Sequence, residues 1–259
     1  MIRAYLSSAV GDLISGTADS GTTTTLVDTM LRQADDYYND HRYRCYIYEG
    51  TNIGEGREIS DWALSTHTLT LDPAFSLAIN NTSKYELHYI FTEDEYRKAI
   101  NLAIESLARK YFVDIKDESI VLVADTYEYT LPSNMLGIIR IITEKTADGG
   151  VFNAGGEIDP RNWDIIRADP PKLKLHEGYY SVSAGKDLRI EGYNSQSIVD
   201  NDTDIIYLPP DWLIQKAITF LPQNKIQSGK LTETYNRALL VSAREPVSQI
   251  DPRVRWVIE

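Results

Sequence analysis

Apolar and polar positions along this chain repeat with two periods in turn, and each switch of period marks a change of element. Ile2, Tyr5, Leu6, Ala9, Val10, Leu13 and Ile14 recur at the i, i+3, i+4, i+7 spacing of an amphipathic helix. Gly16 offers a stop, and the polar run Thr17–Thr25 reads as a linker. From Thr24 to Phe91 the period falls to two. Arg44–Tyr48, Arg57–Ser60, His67–Leu71 and Lys84–Tyr89 are short, β-prone and alternating, separated by Gly, Asn and Pro clusters. Close-set strands of this kind predict a small antiparallel barrel or sandwich. The helical period returns at Thr92, where Thr92 and Glu95 make the T-x-x-E of a capping box. Behind it Tyr96, Ala99, Ile100, Ala103, Ile104, Leu107, Ala108 and Tyr111 form an apolar stripe, with Arg109 and Lys110 near the negative end of the helix.

A second β region follows. Ser119–Val123, Tyr127–Leu131, Gly137–Thr143, Asp164–Arg167, Lys172–Leu175 and Asp187–Gly192 read as strands without helical crossovers, which implies an antiparallel sandwich. Asp211–Leu221 predicts a short helix cut off at Pro222. A last helix runs through Leu231, Tyr235, Ala238, Leu239 and Ser242 to a stop at Pro246. The expected fold is α+β: an antiparallel β-sandwich flanked by helices, with a small β-barrel or sandwich module inserted near the N-terminus. The expected boundaries are an N-terminal helix at 1–19, the inserted module at 20–91, a helix, sandwich and two helices at 92–244, and a tail at 245–259.

Charge narrows the partners. A net charge of −12 opposes stable binding to phosphate backbones, which need a basic surface. An acidic or neutral wall would instead let DNA slide past without being trapped. No apolar run is long enough to cross a bilayer, and Met1–Ser20 lacks the apolar core of a signal peptide. The lone Cys45 leaves no internal disulfide and no cysteine-based zinc site.

Candidate chemistry is sparse. Asp200, Asp202, Asp204 and Asp211 echo an EF-hand loop, yet Ile205 stands where the glycine is needed and Asp211 where the bidentate Glu is needed. A solvated loop with an acid at the next helix start is the reading these residues favour. His41, His67, His88 and His176 are scattered outside metal-ligand spacings. No nucleophile elbow, phosphate loop or dinucleotide fingerprint appears. Catalytic, cofactor and metal residues are therefore expected to be none. Tyr37-Tyr38 and Tyr179-Tyr180 lie in expected loops and are candidates for an interface. The tail carries Arg253, Arg255, Trp256, Val257 and Ile258, residue types rich in binding hot spots. It is expected to dock, on its own body or on a partner.

The order of segments carries a likeness. Tyr127–Pro132, Ile138–Ile141, Leu188–Tyr193, the Asp-rich loop, Leu208-Pro209-Pro210-Asp211-Trp212 and its helix, preceded by the Thr92 helix, resemble the head-to-tail adaptor, or neck, proteins of tailed bacteriophages. The resemblance implies a non-enzymatic virion protein made in the host cytoplasm. It would form a dodecameric ring beneath the portal protein, extend the DNA channel without specific DNA binding, and offer a platform to tail or neck proteins. No membrane is implied. A C-terminal extension reaching into the portal is the role implied for 245–259. Residues 20–91 depart from a minimal adaptor. The alternatives are another tail component, a terminator or baseplate-proximal protein, and a carbohydrate-binding module on the tyrosine-rich strands.

Overall fold

The computed structural model describes residues 2–108, 110–133, 135–226 and 229–257. The protein is α+β, with antiparallel sheets on an open strand order. It divides into two compact units, residues 1–107 with 197–245 and residues 108–196 with 246–259.

The first unit opens with α1 (Ile2–Val10). The helix ends earlier than its apolar spacing predicts, because Gly11 takes φ +76°. The Asp12 and Gly11 amides then bond back to the Ser7 and Ser8 carbonyls, the paired bonds of a Schellman motif. Gly11, and not Gly16, is the stop. Freed from the helix, Ile14 begins β1 (Ile14–Thr17). The supposed linker holds β2 (Ser20–Gly21) and β3 (Thr25–Val27), because the threonine run pairs with a neighbouring strand. A short helix α2 (Tyr37–Asp40) precedes β4 (Arg44–Glu49), β5 (Gly56–Ala63), β6 (Thr68–Asp72) and β7 (Lys84–His88). Among the described residues these seven strands make one sheet in the order β1-β7-β4-β5-β6-β3-β2. The order is open, with β1 and β2 at its ends, so of the expected barrel or sandwich the barrel does not form. Leu26, Ile47, Trp62, Leu69, Tyr85 and Leu87 fill its core.

The helix at Thr92 forms as its local signals require. In α3 (Glu93–Glu105) the Thr92 hydroxyl accepts from the Glu95 amide at 3.2 Å, and the Glu95 carboxylate accepts from the Thr92 amide at 2.8 Å. Tyr96, Ala99, Ile100, Ala103 and Ile104 are buried. The helix stops at Glu105, short of Tyr111, since the next strand claims the residues from Phe112 onward. Arg109, expected at its negative end, lies outside the described residues. Two further helices complete the unit, α4 (Pro210–Ile218) and α5 (Gly229–Ser242). Pro210 suits the first turn of α4, where a missing amide costs nothing. The helices α1, α3, α4 and α5 pack on one another, and the Trp212 indole N–H donates to the Ser242 carbonyl at 3.2 Å.

The second unit is all β. It contains β8 (Phe112–Val121), β9 (Glu128–Thr130), β10 (Gly137–Glu144), β11 (Phe152–Glu157), β12 (Trp163–Ile166), β13 (Lys172–Leu175), β14 (Asp187–Ser195) and β15 (Arg255–Trp256). One sheet runs β11-β10-β14-β8 with β15 on β10, and the other runs β12-β13-β9. Ile138, Ile141, Leu188 and Ile190 of the first sheet share a core with Leu173, Leu175 and Trp163 of the second, the arrangement of a sandwich. Two strands escaped the sequence pattern. β11 is hidden by Gly155-Gly156, which weaken strand propensity, and β15 is only two residues long.

The expected partition at 92 is corrected. The expected boundaries group α3, α4 and α5 with the sandwich, whereas the structure packs α3 and α5 on α4 and all three with α1. The tail, by contrast, groups with the sandwich.

Candidate functional site

Two places carry the residues singled out from the sequence. In the first unit, the acidic loop between β14 and α4 is a turn tied down from within. Asp204 accepts the amides of Asp200 at 2.7 Å and Asn201 at 2.9 Å, and these bonds, first that from Asn201, hold its carboxyl below the usual range. Asp202 faces elsewhere: it accepts from the Arg3 guanidinium at 2.5 Å and the Tyr46 hydroxyl at 2.9 Å. Asp211 lies in the first turn of α4, where an acid favours the positive helix end. Asp202 and Asp204 thus serve different partners, and Asp211 stands apart on α4. No group of three or more His, Cys, Asp or Glu side chains suited to a metal occurs among the described residues.

Asn101 of α3 anchors this loop. Its side-chain N–H donates to the Val199 carbonyl at 3.0 Å, and its oxygen accepts the Val199 amide at 2.9 Å. Beneath lies a buried polar cluster. Arg3 donates to Glu86 at 2.8 Å and stacks on the Tyr46 ring at 4.1 Å. The His88 ring nitrogens sit 2.7 Å from the Asp12 carbonyl oxygen and 3.2 Å from Glu86. Burial would raise the Glu86 carboxyl, but hydrogen bonds from His88 and Arg3 hold it below its ordinary value. A cleft of about 290 Å³ opens over Arg3, Tyr46, Arg97 and the acidic turn. Arg3, Tyr46 and Asn101 were not legible as members of this site, because their partners lie roughly a hundred or more positions away in sequence.

In the second unit, the tail lies along the sandwich. The Ser248 hydroxyl accepts the Phe112 amide at 2.7 Å and donates to the Phe112 carbonyl at 3.1 Å. The Tyr193 hydroxyl accepts the Asp251 amide at 3.0 Å. Trp256 and Arg255 then pair antiparallel with Gly137 and Ile138 of β10. Gly137 is needed for this approach, since a Cβ there would stand 2.7 Å from Val254 and 3.1 Å from the Trp256 ring.

Arg255 is the best-held tail residue. Its guanidinium donates to the carbonyls of Trp163 at 2.5 Å and Pro160 at 2.6 Å, lies 3.2 Å from Asp164, and stacks on the Trp163 ring at 4.4 Å. This fork uses the planar donor geometry peculiar to arginine. Trp256 meets Phe112 at 5.0 Å between ring centres. Val257 is 2% exposed, a member of the sandwich core, and its amide donates to the Leu136 carbonyl at 2.8 Å.

The structure therefore brings Arg255, Trp256 and Val257 together on their own unit. Arg253 stands apart, paired with Asp251, whose carboxyl is pulled down to about 2 chiefly by hydrogen bonds from Arg253. Ile258 lies outside the described residues. Of the tyrosine pairs, Tyr38 is buried against Trp62 and belongs to the core, whereas Tyr179 is exposed. His67 sits in a turn with positive φ and not on a strand, held by its Nδ1 at 2.9 Å from the Leu31 carbonyl.

No family model matches this chain, and no curated protein matches it.

Proposed function

We propose that this protein is a structural part of a tailed-phage virion, a head–tail adaptor that assembles as a ring beneath the portal. The observation that supports this reading is where the resembling segments fall. Tyr129, Leu131, Ile138, Ile141, Leu188, Ile190 and Tyr193 are buried in the sandwich, and the Asp turn is clamped to α3 by Asn101. The likeness thus lies in framework residues in a fixed order, as expected when a family shares an assembly role and not a reaction centre. Exposed apolar side chains add a reason for partners. Leu239, Leu240 and Val241 on α5 are exposed, Leu240 at 79%, and so is Val247 at 80%. Apolar side chains gathered on one short helix suit burial against another subunit.

In this reading the net charge of −12 disfavours adhesion of passing DNA to the ring, since an acidic wall would offer phosphates no counter-charge. The test is to mix the purified chain with its cognate portal and image the product. Rings stacked coaxially on the portal are the expected result. Portals that stay bare at saturating protein would remove the adaptor assignment.

A further inference from the structure

We infer that the C-terminal segment Pro246–Val257 is an exchangeable strand, which docks in the sandwich groove of an adjacent copy when copies assemble. This inference rests on the ring reading above and names the contact that would join neighbours. The groove is built for this one sequence. Gly137 leaves the space that Val254 and Trp256 fill. Two carbonyls, Pro160 and Trp163, converge on a guanidinium, and the Trp163 ring lies under it. A core position takes Val257. The peptide that fits best is this chain's own tail, so the natural second occupant is the tail of another copy.

The route into the groove permits exchange. The tail leaves α5, which belongs to the first unit, and docks on the second unit. Ala243, Arg244 and Glu245 at the crossing are exposed, and residues 246–254 form no helix or strand. Re-routing there breaks no regular structure. Every tail contact described above, at Phe112, Tyr193, Leu136, Gly137, Pro160 and Trp163, is made to residues of the second unit, so each can be remade unchanged on a neighbour. Exchange of identical elements is a low-cost route to oligomers. The nine residues from Pro246 to Val254 span at most about 30 Å when extended, which restricts exchange to an adjacent copy. A dilute monomer keeps its own tail, because the linker gives it a high effective concentration. Copies held side by side on a portal lose that bias.

Two full-length variants test the inference. Arg255→Glu with Trp256→Ser disables the tail and leaves the groove, and Gly137→Val blocks the groove and leaves the tail. Mixed, they are expected to form a one-to-one complex by light scattering that neither forms alone. As a second measurement that does not depend on Gly137→Val folding, a fluorescent peptide of residues 246–257 should bind the tail-disabled chain at least tenfold more tightly than wild type, whose own tail competes. No complex by either route would overturn the exchange. Ring formation on the portal is scored separately by electron microscopy. A mixed complex without rings keeps the exchange and removes the adaptor reading. Rings that form equally well from the tail-disabled chain keep the adaptor and remove the exchange.

Discussion

Single side chains do a large share of the organising in the first unit, and Asp12 is the clearest case. It is 1% exposed, and its carboxylate accepts the amides of Tyr89, Ile90 and Phe91 and the hydroxyl of Tyr96, all between 2.8 and 2.9 Å. Four donors at one carboxylate fix the turn that delivers the chain from β7 into the capping box of α3. Asp12→Ala would leave these donors facing an apolar gap, at a cost of about 3 kcal/mol or more. Urea unfolding should show the loss, and a midpoint within error of wild type would mean that the turn does not depend on Asp12. Nothing in the sequence marks this residue. Asp12 follows a helix-ending glycine, and its partners lie 77 to 84 positions onward.

At the scale of elements, legibility follows how local the deciding interactions are. α3 was readable because its cap, its acidic first turn and its apolar stripe all lie within a few residues. Its far end was not, because a non-local pairing decided it: β8 takes the chain at Phe112 to bond with β14. α1 shows the same limit. Its stripe continues through Leu13 and Ile14, yet the glycine at position 11 ends it and pairing with β7 makes Ile14 a strand residue. The junction of α1 with β7 also gives a pH dependence. Against the cost of burial, His88 and Arg3 hold the Glu86 carboxyl below the ordinary glutamate value of 4.5. A carboxyl depressed in the folded state stabilises fully above its unfolded pKa and loses that contribution as the pH falls through the folded value. Glu86→Gln should therefore be less stable than wild type by about 3 kcal/mol at neutral pH, where Arg3 loses its buried partner. The gap should narrow below pH 4.5. Thermal midpoints of the two chains from pH 7 to 3 check this, and a constant gap would place the stabilisation elsewhere.

At the scale of the whole molecule, the acidic balance makes the sharpest prediction. With 38 acidic and 26 basic side chains, the protein lacks the excess of counter-charge that phosphate binding draws on. No retardation of double-stranded DNA is expected at about 10 μM protein and physiological salt, conditions under which basic non-specific binders already associate. A salt-dependent shift would point to a basic surface not apparent in the overall charge. What the sequence by itself determined is the type of most elements, the antiparallel α+β class and the polar turn at Asp200–Asp204, since each follows from spacing, propensity and turn chemistry within short windows. The tertiary structure alone decided which elements share a core. It placed α3 and the last two helices beside α1 and gave the sandwich the final strand at Arg255–Trp256. It also turned Arg255, Trp256 and Val257 from loose tail residues into occupants of a groove. The physical reason is that burial, hydrogen bonding and strand pairing join residues roughly a hundred positions apart, as in Arg255 with Pro160 and Trp256 with Gly137, whereas a local pattern shows only that an apolar face exists and not what covers it.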